Sequence, residues 1–159
     1  MVELLRIDDR LLHGQVAFSW VNRYAPDAIL IANDEVMHNE IQKMAIKMAK
    51  PAGMKMAIKT LQDGIDLINN EHVVKQMKLF VVVKTSQDAL TLIQGVKEHI
   101  RLLNIGGISN RKKGGKNVAK GIYLSEEDIE NIKKIQKLID EVDIRVVPTD
   151  PKKDIQHVL

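Results

Sequence analysis

Two carboxylates, an arginine and a histidine fall within six residues near the N-terminus: Asp8, Asp9, Arg10 and His13. A neutral imidazole is a nucleophile near neutral pH. To attack phosphorus it must present one bare ring nitrogen while the other donates to a carboxylate or carbonyl. Asp8 or Asp9 can take that role, and spacing alone does not choose between them. Arg10 has a planar fork that can hold two phosphoryl oxygens at once, a geometry lysine does not copy. Gly14 allows another molecule to approach the backbone closely. A helix beginning near Gln15 would aim free N–H groups and its positive end back at His13. Together these residues suit a transient phosphohistidine at His13, because catalysis of phosphoryl transfer is mostly positioning and charge stabilisation. The same residues also suit a solvated turn with an internal ion pair, with His13 filling an N-cap. Asp8, Asp9 and His13 lack the ligand spacing of a known metal site, and no metal or cofactor is expected.

The elements that must position this loop alternate regularly. Strands are expected at Glu3–Ile7, Ala28–Ala32, Met54–Ile58, Leu79–Val83, Ile100–Ile105, Asn117–Leu124 and Ile144–Val147. Helical stripes lie between them: Val16, Ala17, Trp20, Val21 and Tyr24; Ile41, Met44, Ala45 and Met48; Leu61, Ile65 and Ile68; Ala89, Leu90, Ile93 and Val96; Ile129, Ile132, Ile135 and Ile139. A weak signal after Asp150 predicts a short terminal helix. Thr60, Thr85 and Ser125 each precede an aspartate by three residues, the spacing of a capping box with Asp in place of Glu. This pattern predicts a single α/β domain, residues 1–159: a mostly parallel twisted β-sheet of about six to seven strands flanked by helices on both faces. Ligand sites of such sheets lie at the carboxyl ends of the strands, where the His13 loop falls. Asn33, Asp34, Lys84, Thr85, Gly106 and Gly107 end the other strands and are candidate pocket-lining groups. The basic run 109–116 suits an acidic partner surface. His38, His72, His99 and His157 lack such company and read as structural or exposed.

Composition removes several classes. The 159 residues carry 24 basic and 21 acidic side chains, no cysteine and few aromatics. Disulfides and Cys-ligated zinc are excluded, and no stacking platform for nucleic acid exists. No apolar run reaches the roughly 18 residues of a membrane span, and no signal peptide is evident; a cytoplasmic location is expected. A receiver domain would need an aspartate at the end of the third strand and a lysine after the fifth. Here those strands end in Ile58-Lys59-Thr60 and Asn104-Ile105-Gly106. The glycine-rich turn of a dinucleotide fold is also missing.

The run Arg6-Ile7-Asp8-Asp9-Arg10-Leu11-Leu12-His13-Gly14-Gln15-Val16 closely resembles the active-site segment of enzyme IIB components of sugar phosphotransferase systems, mannose–fructose–sorbose family. The resemblance continues through Trp20, Ala32-Asn33-Asp34, Lys84-Thr85 and Asn104-Ile105-Gly106-Gly107, with Leu12 where isoleucine is expected. It implies that His13 receives a phosphoryl group from a phosphorylated IIA component and passes it to a sugar, a hexose or amino sugar, held by membrane IIC and IID components. Arg10 would hold the phosphoryl group, and Asp8 or Asp9 would orient the imidazole or Arg10. With no IIA segment in the chain, the partners are expected to be separate chains and the membrane association peripheral. The competing reading is a non-catalytic module of the same fold that binds and senses a phosphorylated ligand or partner.

Overall fold

The computed structural model describes residues 1–109 and 113–159, and for Gln15 the backbone. Its elements are β1 (Val2–Asp8), α1 (Gly14–Tyr24), β2 (Ala28–Ala32), α2 (Glu40–Ala49), β3 (Lys55–Lys59), α3 (Leu61–Asn69), α4 (Glu71–Val74), β4 (Leu79–Val83), α5 (Ser86–Gly95), β5 (Leu102–Ser109), β6 (Lys116–Ala119), β7 (Ile122–Leu124), α6 (Glu126–Ile135), β8 (Glu141–Ile144) and β9 (Lys153–Asp154). Turns of 3-10 helix cover Glu35–His38 and Ile155–His157. The sheet runs β3-β2-β4-β1-β5. Beyond β5 it splits: Leu102–Ile105 pair with β8, while Ile108 and Ser109 pair with β7. All pairings are parallel except the β6–β7 and β8–β9 ladders.

Alternation along the strands divides the core between the two faces. Leu5, Ile7, Leu30, Val81 and Val83 pack with α3, α5 and α6. Leu4, Ile29, Ile31, Phe80 and Val82 pack with Trp20 and Val21 of α1 and Ile46 of α2. Arg6 falls in the same two-residue phase as Leu4 and lies over the Trp20 ring on the α1 face. The chain leaves β1 toward β2 on one side and β5 toward the β6–β7 hairpin on the other. The gap between the carboxyl ends of β1 and β5 is therefore the point where the connections diverge, the usual place for a ligand in an open α/β sheet.

Thr60 and Thr85 accept the N–H groups of Asp63 and Asp88, and Ser125 with Asp128 forms a full capping box. Five expectations change. The fifth strand runs Leu102–Ser109, not Ile100–Ile105, so Gly106 and Gly107 lie inside it and do not close it. The single strand at Asn117–Leu124 is a hairpin, β6 and β7, turning at Gly121 with φ +76°. The last long strand is Glu141–Ile144, three residues earlier than expected, because α6 stops at Ile135 and Ile139 sits in the turns that follow. The tail forms the short strand β9 before its single helical turn. The stripe Ile41, Met44, Ala45 and Met48 faces away from the core, and Ile46 is the side chain that α2 buries. The Asn39 cap, which accepts the Gln42 N–H, fixes the start of that helix.

Replacing Ser125 with alanine removes a cap from the helix that closes one face. Urea unfolding of Ser125→Ala should show a loss of about 1–2 kcal/mol with an unchanged m-value.

Candidate functional site

The loop after β1 is held from below. Asp8 is fully buried, and its two oxygens are shared among three cationic or donor side chains. Oδ2 accepts from Arg6 Nη2 at 3.0 Å and lies 3.0 Å from His13 Nε2. Oδ1 accepts from the Arg10 backbone N–H at 3.0 Å and Arg10 Nε at 3.4 Å. Burial pushes the Asp8 carboxyl up, but the His13 contact, the Arg6 charge and the Arg10 N–H together outweigh it, and its pKa ends below the ordinary carboxylate value. Burial likewise pulls the Arg6 guanidinium down, opposed by Asp8.

Arg6 continues the network inward. Its Nη1 donates to Asn104 Oδ1 and to the Arg145 carbonyl. Asn104 donates to Asp143 Oδ1 at 2.7 Å, and Asp143 is paired with Arg145 at 2.7 Å. The guanidinium carbons of Arg6 and Arg145 lie 5.2 and 5.4 Å from the Trp20 ring centroid, and Trp20 Nε1 donates to the Val146 carbonyl. A buried charge in this position needs space as well as partners. The β1–β5 register steps from Ile7–Ile105 to Asp8–Gly107, so Gly106 is an extra residue in the ladder. A Cβ on Gly106 would stand 1.9 Å from Arg6 Cζ, and one on Gly107 would stand 2.9 Å from Asp8 Oδ1. These two glycines leave room for the ion pair and also line the cleft beside it.

The loop itself is tied at several points. Leu11 N–H donates to the Asp8 carbonyl, and Leu11 and Leu12 are buried in the α1-side core. Leu11 adopts φ +58°, an uncommon conformation for a non-glycine residue. Gly14 adopts φ +42° with open space where a Cβ would be. His13 stands at the N-cap of α1, but its side chain turns to Asp8 instead of capping, and no acid occupies the first turn. His13 therefore caps none of the initial N–H groups of this 11-residue helix, the kind of donors that an anion can accept from. With Nε2 on Asp8, Nδ1 makes no hydrogen bond among the described residues. Arg10 is 56% exposed, and among the described residues its Nη groups make no hydrogen bond.

Asp8, not Asp9, is the carboxylate on His13. Asp9 accepts the Ser109 N–H at 2.8 Å and so ties the loop to the end of β5. Asp9, Arg10, Gly106, Gly107, Ser109, Lys120 and Asp150 line an open cleft of about 500 Å³ between the two strand ends. Asn33, Asp34 and Thr85 have local duties: they accept the N–H groups of Val36, Leu61 and Asp88, and none of these bonds reaches His13. The Gln15 side chain and residues 110–112 of the basic run lie outside the described residues. The other four histidines are exposed, and His99 pairs with Asp140. Arg6, Asp143 and Arg145 were not among the expected site residues. Their signal is a charge inside an otherwise apolar strand, as in Leu5-Arg6-Ile7 and Val142-Asp143-Ile144.

The architecture and this loop define an α/β domain in which one buried carboxylate at a strand end holds both a histidine and an exposed arginine, the arginine also lining the neighbouring cleft. The chain matches the family model for the sorbose-subfamily IIB component of the phosphotransferase system over residues 2–159, and it belongs to that family. It is 35% identical over 155 residues to the sorbose-specific EIIB component of Klebsiella pneumoniae, covering 97% of this chain and 92% of the relative. It is 32% identical over 158 residues to the N-acetylgalactosamine-specific IIB component 2 of Escherichia coli K12, covering 99% and 98%. The crystal structure of the IIBSor domain of the sorbose permease from Klebsiella pneumoniae superposes with a TM-score of 0.90 at 32% identity, covering 99% of this chain and 94% of that one. The chain is thus a IIB component of a sugar phosphotransferase system. None of its described helices is long and apolar enough to cross a membrane.

Two outcomes follow from the buried pair. Gly106→Ala forces the Arg6 guanidinium out of its site, and thermal or denaturant unfolding should show a loss of about 3–5 kcal/mol, the usual cost of breaking a buried ion pair. Asp8→Asn removes a carboxylate whose pKa is lowered on folding. Such a group stabilises the native state above its unfolded value near 4, and the contribution is lost as pH falls through the lowered folded value. The stability deficit of Asp8→Asn against the parent should therefore be full at pH 7 and shrink at pH 3. An equal deficit at both would place the effect elsewhere than in the carboxylate charge.

Proposed function

We propose that His13 is the phosphoryl carrier of this IIB component, accepting from a phosphorylated IIA component and donating to a sugar held by membrane IIC and IID components. The observation that carries this reading is the division of labour on the imidazole: Nε2 is held by buried Asp8, Nδ1 makes no hydrogen bond among the described residues, and the same carboxylate holds the exposed Arg10 while His13 stands at the start of α1. The Nδ1 lone pair forms the new N–P bond as the N–P bond on the IIA histidine breaks. Positive character grows on the ring during this step, and the ionised Asp8 at Nε2 stabilises it. Arg10 and the N–H groups of α1 hold the phosphoryl oxygens. In the second step a sugar hydroxyl oxygen bonds to phosphorus, the Nδ1–P bond breaks, the hydroxyl proton is released, and the ring returns to its neutral form with Nε2–H still on Asp8. The activity is that of a protein-N(π)-phosphohistidine–sugar phosphotransferase, since the π nitrogen is Nδ1. The sugar is a hexose or amino sugar, and contact with the bilayer is peripheral, through the membrane components.

The test is mass spectrometry at neutral pH after incubation with phosphoenolpyruvate, the general phosphotransferase proteins and a charged IIA component. One phosphoryl group should map to His13 and be absent in His13→Gln. Arg10→Lys should fold as the parent does and transfer about 10–100-fold more slowly, since one point charge replaces a fork of donors. A phosphoryl group on another residue, or an Arg10→Lys variant at the parent rate, contradicts these roles.

A further inference from the structure

Helix α2 is amphipathic in the wrong sense for a helix that packs on a core. At 100° per residue, Ile41, Met44 and Met48 fall within an arc of roughly 60° directly opposite Ile46, the one side chain α2 buries. They are 83%, 62% and 84% exposed. Ala45 flanks the stripe on one side, and Glu40 and Lys47 flank it on the other, both exposed.

We propose that this face is the self-association surface of the protein, in which two copies pair through antiparallel α2 helices about a twofold axis near Met44. The charges select the partner and the direction. In an antiparallel pair related by such an axis, each flank of the stripe meets the same flank of the second helix. Positions equidistant from Met44 on opposite sides then come level. Glu40 of each copy falls about 1.5 Å along the axis from Lys47 of the other, given the rise per residue, so two reciprocal ion pairs close over the Met44–Met44 contact. A parallel pair would set both charges against Ala45 and Ile41. On its own helix Glu40 meets Lys43 at 3.4 Å, an exposed pair it can share. An anionic lipid surface fits less well. Lys43 is engaged by Glu40, and the Lys50 ammonium is bound to the Pro51 and Met54 carbonyls. That leaves Lys47 as the outward lysine of the helix, with the acidic Glu40 beside it.

Ten residues of helix bury only a few hundred Å² per copy, below the roughly 800 Å² per partner of standard stable interfaces. The pairing is therefore weak and reversible, with a dissociation constant on the order of 100 μM. Helix α2 starts from the same sheet edge as the His13 loop. Antiparallel pairing points the two loops in opposite directions and leaves both open to other components.

Sedimentation velocity of the full chain from about 10 μM to 1 mM tests this. The parent should shift from monomer to dimer across that range, and Met44→Glu, at an exposed position, should stay monomeric with an unchanged circular dichroism spectrum. Glu40→Lys and Lys47→Glu should each weaken association by about tenfold. The double charge swap should restore it to within about threefold, although Glu40→Lys still weakens the helix start in both contexts. A parent that stays monomeric at 1 mM overturns the proposal, even if it cosediments with anionic vesicles. Dimerisation indifferent to Met44→Glu, or a double swap no stronger than the singles, overturns it as well.

Discussion

The carboxylate of Asp8 is the point through which the site is assembled. It lies in the interior with four hydrogen-bonding contacts from Arg6, Arg10 and His13. An unpaired charge there would be costly, so Arg6 must be buried with it, and Arg6 in turn requires Asn104, the Arg145 carbonyl and the absence of a side chain at Gly106. The extra glycine in the β1–β5 ladder, the Asp143–Arg145 pair and the guanidinia over Trp20 are all consequences of placing one ionised carboxylate beneath one histidine. This arrangement differs from a surface ion pair. Its members cannot relax toward water, and their geometry is transmitted to the His13 ring.

The fold supplies the place. Parallel pairing puts the end of β1 beside the end of β5, and the chain leaves these strands in opposite directions. Glycine and left-handed turns then let a short loop cross the gap: Leu11 and Gly14 turn the backbone, while Leu11 and Leu12 drop into the core and stop the loop from swinging. A carrier must present one nitrogen to two successive partners. For the proposed carrier, a loop tied into the core at Leu11 and Leu12 would meet both demands, because His13 is partly exposed while buried Asp8 holds its Nε2.

Much of this was legible in the residues. The continuous apolar runs Ala28–Ala32 and Leu79–Val83 are strands with those bounds, since central parallel strands are buried on both faces. The three threonine and serine caps are local interactions between residues three apart, and all three form. The His13 loop stood out because charge, glycine and position coincide. What was not legible depends on distant contacts. Arg6 reads as a break in an apolar strand until Asn104, some hundred residues away, is seen to accept from it. Asn33, Asp34 and Thr85 follow the right strands for a pocket, yet each is engaged by backbone N–H groups of its own turn or of a neighbouring helix start. The α2 stripe shows that periodicity establishes an amphipathic helix without saying which side meets the core. Ile46, with the partly buried Ala49, meets the sheet side, and the larger apolar face points outward.

The most direct test of the central claim is nitrogen NMR of the histidine-labelled protein before and after phosphorylation. If Asp8 fixes the imidazole, neutral His13 carries its proton on Nε2, and the phosphorylated form carries phosphorus on Nδ1 with the Nε2–H resonance still hydrogen-bonded. A proton on Nδ1 in the resting protein, or phosphorus on Nε2, would contradict the account, because the nitrogen held by the buried carboxylate would then be the one that reacts.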